Sequence, residues 1–239
     1  MKRFFGNNFA LLIMLVLVAK AVTGGSFFDD PLAWLISELL ILPGIVIGIT
    51  VHEFAHAFAA YKLGDQTPKI QGRVTLNPLA HIDPVGLIAL LFIGFGWGKP
   101  VEVNPYAFKH RRRDNLITDV AGVVTNFVMA FVFMGVMKLL YTFGDTVNSG
   151  VILYYASMVV IYIIQMNLVL MVFNLLPVPP LDGFGIVTEV FNLRNKPIYE
   201  QLYFAGMPIL LVLILLNIPS KVIRPIIDFL YNFIAGVFF

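Results

Sequence analysis

The chain has 239 residues, 59% of them hydrophobic and 13% charged, with a net charge of +2 and a mean hydropathy of +0.87. Water-soluble domains carry about 25% charged residues, so a soluble globule is excluded, and so small a net charge also argues against a nucleic-acid binder. The absence of cysteine removes a disulfide scaffold, a thiolate zinc site and a cysteine nucleophile from consideration.

A helix must run for roughly 20 residues to cross about 30 Å of hydrocarbon. Apolar runs of suitable length fall at 8–23, 32–61, 117–142, 151–176, 201–219 and 222–239. The sequence therefore predicts an all-α polytopic membrane protein with about six transmembrane helices. The run 85–98 is apolar but short and glycine-rich, which predicts a re-entrant segment. Arg73-Val74-Thr75-Leu76 and Pro100-Val101-Glu102-Val103 alternate enough to predict small β-strands near the cytoplasmic face. Pro43-Gly44 predicts a kink within the second span.

Lysine and arginine orient the spans. Lys2 and Arg3 place the N-terminus in the cytoplasm. The loop 24–31 holds Asp29, Asp30 and no basic residue, which suits the outside. Lys62, Lys69, Arg73, Lys99, Lys109 and Arg111-Arg112-Arg113 then gather on the cytoplasmic side, the last three as an anchor to anionic lipid. Lys221 and Arg224 leave the topology of the last pair open. Lys2-Arg3, an apolar run and Ala19-Lys20-Ala21 also admit a signal peptide, without changing the topology downstream.

His52-Glu53-Phe54-Ala55-His56 matches H-E-x-x-H. On a helix the two histidines lie one turn apart on one face, so both imidazoles reach one metal ion, while Glu53 can touch a water on that metal without being a ligand. Chance use of polar residues is the plain alternative, but three such groups in an apolar span are costly. A catalytic zinc takes three protein ligands and leaves a position for water. Without cysteine, the third ligand is His, Asp or Glu. His81 and His110 lie in loops among basic residues and read as surface residues. Asp182 is the stronger candidate, because charge bias puts it at a depth similar to the histidines and Pro179-Pro180 unwinds the chain before it; the alternative is an aspartate capping the next helix.

HExxH in a span, followed by Asn174-Leu-Leu-Pro-Val-Pro-Pro-Leu-Asp182-Gly183, resembles the site-2 protease family of intramembrane zinc metalloproteases, peptidase family M50. Gly72-Arg73-Val74-Thr75-Leu76-Asn77-Pro78, Gly96-Trp97-Gly98-Lys99-Pro100-Val101 and Ala121-Gly122-Val123-Val124-Thr125-Asn126 resemble its small prokaryotic branch without a PDZ domain. One departure is Val123, where the family often has proline.

The resemblance covers about residues 40–190. It implies a single membrane metalloprotease domain over 1–239, with the helix 8–23 and the helices at 201–239 peripheral to the catalytic core. It also implies one Zn2+ per chain held by His52, His56 and Asp182, with Glu53 as the catalytic base. The site is expected near the cytoplasmic side of the cell membrane, and the partners are the lipid bilayer and a transmembrane protein substrate that must unwind before cleavage.

Asn174 and Asn126 are candidates to bind the unwound substrate, because amides in a span are costly unless used; Gly122-x-x-x-Asn126 also reads as a close helix contact. The strands at 73–76 and 100–103 are candidates to clamp substrate by strand addition. The rival reading is a non-proteolytic membrane protein, either a metal transporter or a degenerate protease that binds helices. A transporter needs ionisable groups through the whole membrane, and the outer halves of the spans offer little beyond Glu38 and Lys138. A degenerate protease would lack Glu53 or a ligand, and all are present.

Overall fold

The computed structural model describes residues 29–94, 96–144 and 150–239. Eight α-helices follow one another in the described residues: α1 Pro31–Lys62, α2 Thr67–Ile70, α3 Pro84–Ile93, α4 Arg111–Gly144, α5 Gly150–Asn174, α6 Asp182–Val190, α7 Pro197–Leu215 and α8 Ile218–Phe238, with single 3₁₀ turns between some of them. Four of them, α1, α4, α5 and α7, are long and apolar enough to cross a membrane. The expected span 8–23 lies outside the described residues. The expected span 222–239 is part of α8, which is helical but carries Lys221, Arg224 and Asp228 and is not among the four.

α1, α4 and α5 pack against one another in all three pairings and form the core. Lipid tails are as apolar as leucine, so helices in a membrane associate through close packing and polar contacts, and small residues let the backbones approach. Gly44 and Gly48 serve this purpose on α1. A Cβ on Gly44 would lie 2.8 Å from the Tyr162 carbonyl oxygen, and one on Gly48 would lie 2.6 Å from Leu170 Cδ1. Pro43 sits inside α1, which continues as helix through it to Lys62. α1 begins on the Asp30 cap, whose carboxylate accepts from Ala33 N at 3.0 Å, with Pro31 at the first helical position.

α8 lies against α4 and α5, where Ala130, Met134, Met137, Val160, Ile164, Leu168 and Ile234 form a buried apolar cluster. α6 packs on the first half of α4. α7 adds a smaller cluster around Leu211 and reaches the turn before α6, where Gly206 faces Pro179.

The segment 84–98 is a short helix followed by a stretch that doubles back on it. Asp83 caps α3 by accepting from Val85 N and Gly86 N. Ten helical residues rise about 15 Å, half of the hydrocarbon thickness. The helix ends on Gly94, whose φ of +74° is a left-handed conformation that suits glycine. The chain then returns beside its own start: a Cβ on Gly96 would collide with the Gly86 carbonyl oxygen, and one on Gly86 with that of Trp97.

The β-strands expected at 73–76 and 100–103 do not form. Among the described residues the isolated antiparallel bridge Ile82–Gly98 is all the β pairing. The physical reason lies in where the backbone groups go. Side chains take the groups a ladder would use: the carbonyls of Lys99 and Pro100 accept from the Arg73 guanidinium, Val101 N donates to Glu53, and Asn104 N donates to Asp65.

Candidate metal centre

The centre is built from one helix face and one helix start. On α1, His52 Nε2 and His56 Nε2 stand 3.1 Å apart, with the rings edge to face at 4.6 Å. Asp182 reaches them from the N-terminus of α6, its Oδ2 lying 3.1 Å from His52 Nε2 and 3.2 Å from His56 Nε2. Both histidines are buried and Asp182 is nearly so. Asp182 is the first residue of α6 and not its cap, a position held by Leu181, so its carboxylate is free to face the histidines. Gly183 makes that approach possible: a Cβ there would lie 2.6 Å from the Leu176 carbonyl oxygen and closer still to that of Leu175.

Three acceptor atoms that converge within 3.2 Å repel one another unless a cation lies between them. A tetrahedral zinc with ligands at about 2.0–2.1 Å spaces its donors by roughly 3.3 Å, close to the observed separations. Two imidazole nitrogens and one carboxylate oxygen are also a normal catalytic zinc donor set. Among the described residues these three are the group whose donor atoms could hold one ion.

The second nitrogens of the rings are treated differently. His56 Nδ1 lies 2.7 Å from the Thr118 carbonyl oxygen on α4. A carbonyl only accepts, so Nδ1 carries the hydrogen, and in the neutral ring the Nε2 lone pair points at the centre. His52 Nδ1 is buried against Gly122, with no hydrogen-bond partner. A Cβ on Gly122 would lie 2.6 Å from His52 Cε1 and 2.8 Å from His52 Nδ1, and would also strike His56 Nε2. The Gly122 backbone is therefore the floor on which both rings lie. Val123, the departure from the family pattern, is buried on the same helix.

Glu53, next to His52 on α1, is met by the loop around Gly98 and Val101. Its Oε2 accepts from Val101 N at 3.1 Å, and a Cβ on Gly98 would lie 3.6 Å from its Oε1. It is not part of the three-atom convergence. The loop that meets it is tied down by buried groups. Lys99 N donates to the His81 carbonyl at 2.7 Å, and the Arg73 guanidinium spans the carbonyls of Lys99 and Pro100. Burial pulls the Arg73 guanidinium below its ordinary pKa, with the carboxylates of Glu53 and Glu102 opposing.

One expectation for a basic residue is corrected. His81 is fully buried and lies 2.7 Å from the Thr75 carbonyl oxygen, so it is an interior strut of the loops and not a surface residue; His110 is exposed as expected. Arg112 is exposed and also ties down a neighbouring helix. Its Nε and Nη2 donate to the carbonyls of Glu189 and Val190 at 2.5 and 2.7 Å, closing the C-terminal end of α6. Glu189 in turn accepts from Asn115 at 3.2 Å and from Arg194 at 3.0 and 2.5 Å. Burial works against the Arg194 charge, but Glu189 outweighs it and raises the guanidinium above its ordinary range.

The two asparagines proposed from the sequence sit differently. Asn126 is fully buried one turn along α4 from Gly122, with neither amide atom hydrogen-bonded. Asn174 donates to the Leu170 carbonyl at 2.9 Å within its own helix. Asp119 was missed by sequence reasoning: its carboxylate lies against α6, where a Cβ on Gly185 would meet its Cγ at 2.8 Å. Gly122 and Gly98 were visible only as members of motifs. Their spacing signals a close contact, and the partner of that contact is a tertiary fact.

The model of peptidase family M50 matches residues 40–217. The chain is 39% identical over 190 residues to a Bacillus subtilis (strain 168) protein named "Putative zinc metalloprotease YwhC", covering 77% of this chain and 84% of that one. It is 28% identical over 221 residues to "Putative zinc metalloprotease Rip2" of Mycolicibacterium smegmatis, covering 85% and 79%. The Mycobacterium tuberculosis H37Rv protein of the same name is 29% identical over 190 residues, covering 72% and 68%. No solved structure matches the chain at a comparable level. A match over most of the chain, joined to a buried two-histidine, one-aspartate convergence with a glutamate beside it, leads to one conclusion: the chain belongs to peptidase family M50, the site-2 protease family, and is a zinc metalloprotease.

Proposed function

We propose that the protein is an intramembrane endopeptidase that cleaves transmembrane segments of other membrane proteins, with Glu53 as general base and His52, His56 and Asp182 as the ligands of one zinc ion. The observation that carries this reading is the location of the His52–His56–Asp182 convergence on α1 and α6, among helices apolar enough to span a bilayer. When bound, zinc supplies Lewis-acid polarisation of the scissile carbonyl and acidifies a water.

The chain's own residues do the rest. Glu53 accepts the proton of the attacking water and passes it to the leaving amine. Val101 N fixes one carboxylate oxygen of Glu53, so the other is the one that handles the proton. Thr118 and Gly122 hold the histidine rings in tautomer and in place. A transmembrane substrate has its carbonyls in helical hydrogen bonds, so it unwinds locally before it reaches Glu53. Asn174, the last residue of α5, is the candidate partner for a freed N–H. Asn126 is a second candidate, and its full burial requires the substrate to approach between α4 and α1.

The protein acts in the cell membrane as a single domain over 1–239 with its catalytic core at about 40–190, and the site opens toward the cytoplasm. Lysine and arginine in the loops between α1 and α4 support this orientation. Purified protein should cleave a transmembrane test substrate, lose that activity to a chelator and regain it with zinc. A full set of activity left after exhaustive chelation would sink the reading. The chain has no cysteine, so single cysteines at Asp29 and Lys109 test the orientation. An impermeant thiol reagent on intact cells should label position 29 and spare position 109, and the reverse pattern overturns it.

A further inference from the structure

The residues that hold the loop over Glu53 point to a role for a group outside the metal centre. Arg73 is 4% exposed, in a loop where arginine normally reaches water. Its Nη2 donates to two consecutive carbonyls, those of Lys99 and Pro100. The next residue, Val101, donates its N–H to Glu53 Oε2 at 3.1 Å. The Pro100 carbonyl and the Val101 N–H belong to one peptide unit, so the guanidinium grips the same peptide plane whose N–H holds the glutamate. The same loop is pinned from its other side by Lys99 N on the His81 carbonyl and by the bridge between Gly98 and Ile82. At its outer end Gln71 Nε2 donates to Glu102 Oε2 at 2.7 Å. No strand ladder fixes this stretch, so its conformation rests on these side-chain ties.

We propose that Arg73 is a positioning residue for catalysis: its guanidinium fixes the Lys99–Val101 backbone so that the Val101 N–H orients Glu53. A charge-assisted donor to two carbonyls suits this role because burying a cation is costly and is offset only by well-made hydrogen bonds. A lysine at this position keeps the charge but lacks the planar fork, so it is not an equivalent replacement. Arg73 touches neither the scissile bond nor the ligand atoms, and it acts through Val101. The proposal rests on Glu53 being the base.

The test uses the full-length protein with zinc, and reads zinc content, thermal stability, kcat and KM on a transmembrane test substrate. Arg73→Ala should lower kcat about 10- to 100-fold, the range seen when a supporting partner is removed, with zinc content kept and KM within about twofold. Arg73→Lys should recover only a small part of the rate. In the Arg73→Ala background, cysteines at Gln71 and Glu102 joined by a short bismaleimide should restore most of kcat, because the bridge replaces the lost tether without replacing the charge. Wild-type kcat in Arg73→Ala overturns the proposal. So does a kcat that stays low after bridging while zinc remains bound, which would make Arg73 a direct electrostatic participant, and so does loss of zinc or fold in both Arg73 variants, which would make its role structural. Glu53→Gln is the separate control: if it stays active, the reading of Glu53 as the base fails whatever the Arg73 variants do.

Discussion

The two halves of α4 present one continuous buried face with opposite chemistry. From Asp114 to Asn126 the buried residues are Asp114, Asn115, Thr118, Gly122, Asn126 and the single apolar side chain Val123; from Ala130 onward they are Ala130, Met134 and Met137. The first half faces the metal centre and α6, and the second faces α5 and α8. Both halves are buried along this face, yet they do different work. In the apolar half, contacts are interchangeable dispersion contacts that depend on volume. In the polar half several atoms have a specified partner: Thr118 O for His56, the Gly122 backbone for both rings, Asn115 for Glu189, while the Asn126 amide is buried without one. A burial pattern alone would score the two halves alike. The comparison teaches that in this protein polarity on a buried helix face marks the half that faces the candidate metal centre.

Substitutions can break or sharpen that contrast. His56→Ala removes a ligand of the proposed centre, so zinc content should fall to near zero and proteolysis to background, read by metal analysis beside the cleavage assay. Zinc retained at full stoichiometry would show that the convergence is not the metal site. Glu53→Gln comes next: kcat should drop by about 10²- to 10⁴-fold, the usual weight of a general base, with zinc still bound, because Glu53 lies outside the convergence. Loss of the metal in that variant would make Glu53 a ligand.

The paired test of the two halves is a bulkier residue at Gly122 and at Ala130. Gly122→Leu should weaken zinc binding by roughly 10- to 100-fold, since it displaces both rings. Ala130→Leu should cost about 1–3 kcal/mol of stability through overpacking and leave zinc affinity unchanged. Competition with a chelator separates the two outcomes, and equal loss of zinc affinity in both variants would erase the distinction. The smallest effect is expected for Arg112→Ala, which loosens the far end of α6 and so the aim of Asp182. Zinc affinity should fall less than tenfold, with stability down by about 1–2 kcal/mol from the orphaned carbonyls. A lipid-anchor role would instead leave zinc affinity untouched and reduce association with anionic vesicles.

Much of the site was legible in the chain because its parts are local. HExxH needs only a helix to bring His52, His56 and one face together, and the apolar composition of 32–61 guarantees that helix in a membrane. The apolar runs at 32–61, 117–142, 151–176 and 201–219 have the length that hydrocarbon thickness demands, and all became helices. The short run at 85–98 was legible for the same reason, being too brief to cross and rich in the glycines that let a chain turn back on itself.

The rest depended on partners far apart in sequence. Alternation at 73–76 and 100–103 suggests strands, but a strand is made by hydrogen bonds to another backbone, and here Arg73, Glu53 and Asp65 took those bonds first. His81 looks solvated among basic neighbours, yet it is fully buried beside the Thr75 carbonyl, and the exposed Arg112 donates to the carbonyl of Glu189 in a distant segment. Charge and polarity along the chain determined that this is a membrane protein with one metal-binding helix. Which carbonyl, glycine or N–H meets each polar side chain was decided only in three dimensions, because inside a membrane every buried polar group must be matched, and the match is a property of the packed helices and not of any one of them.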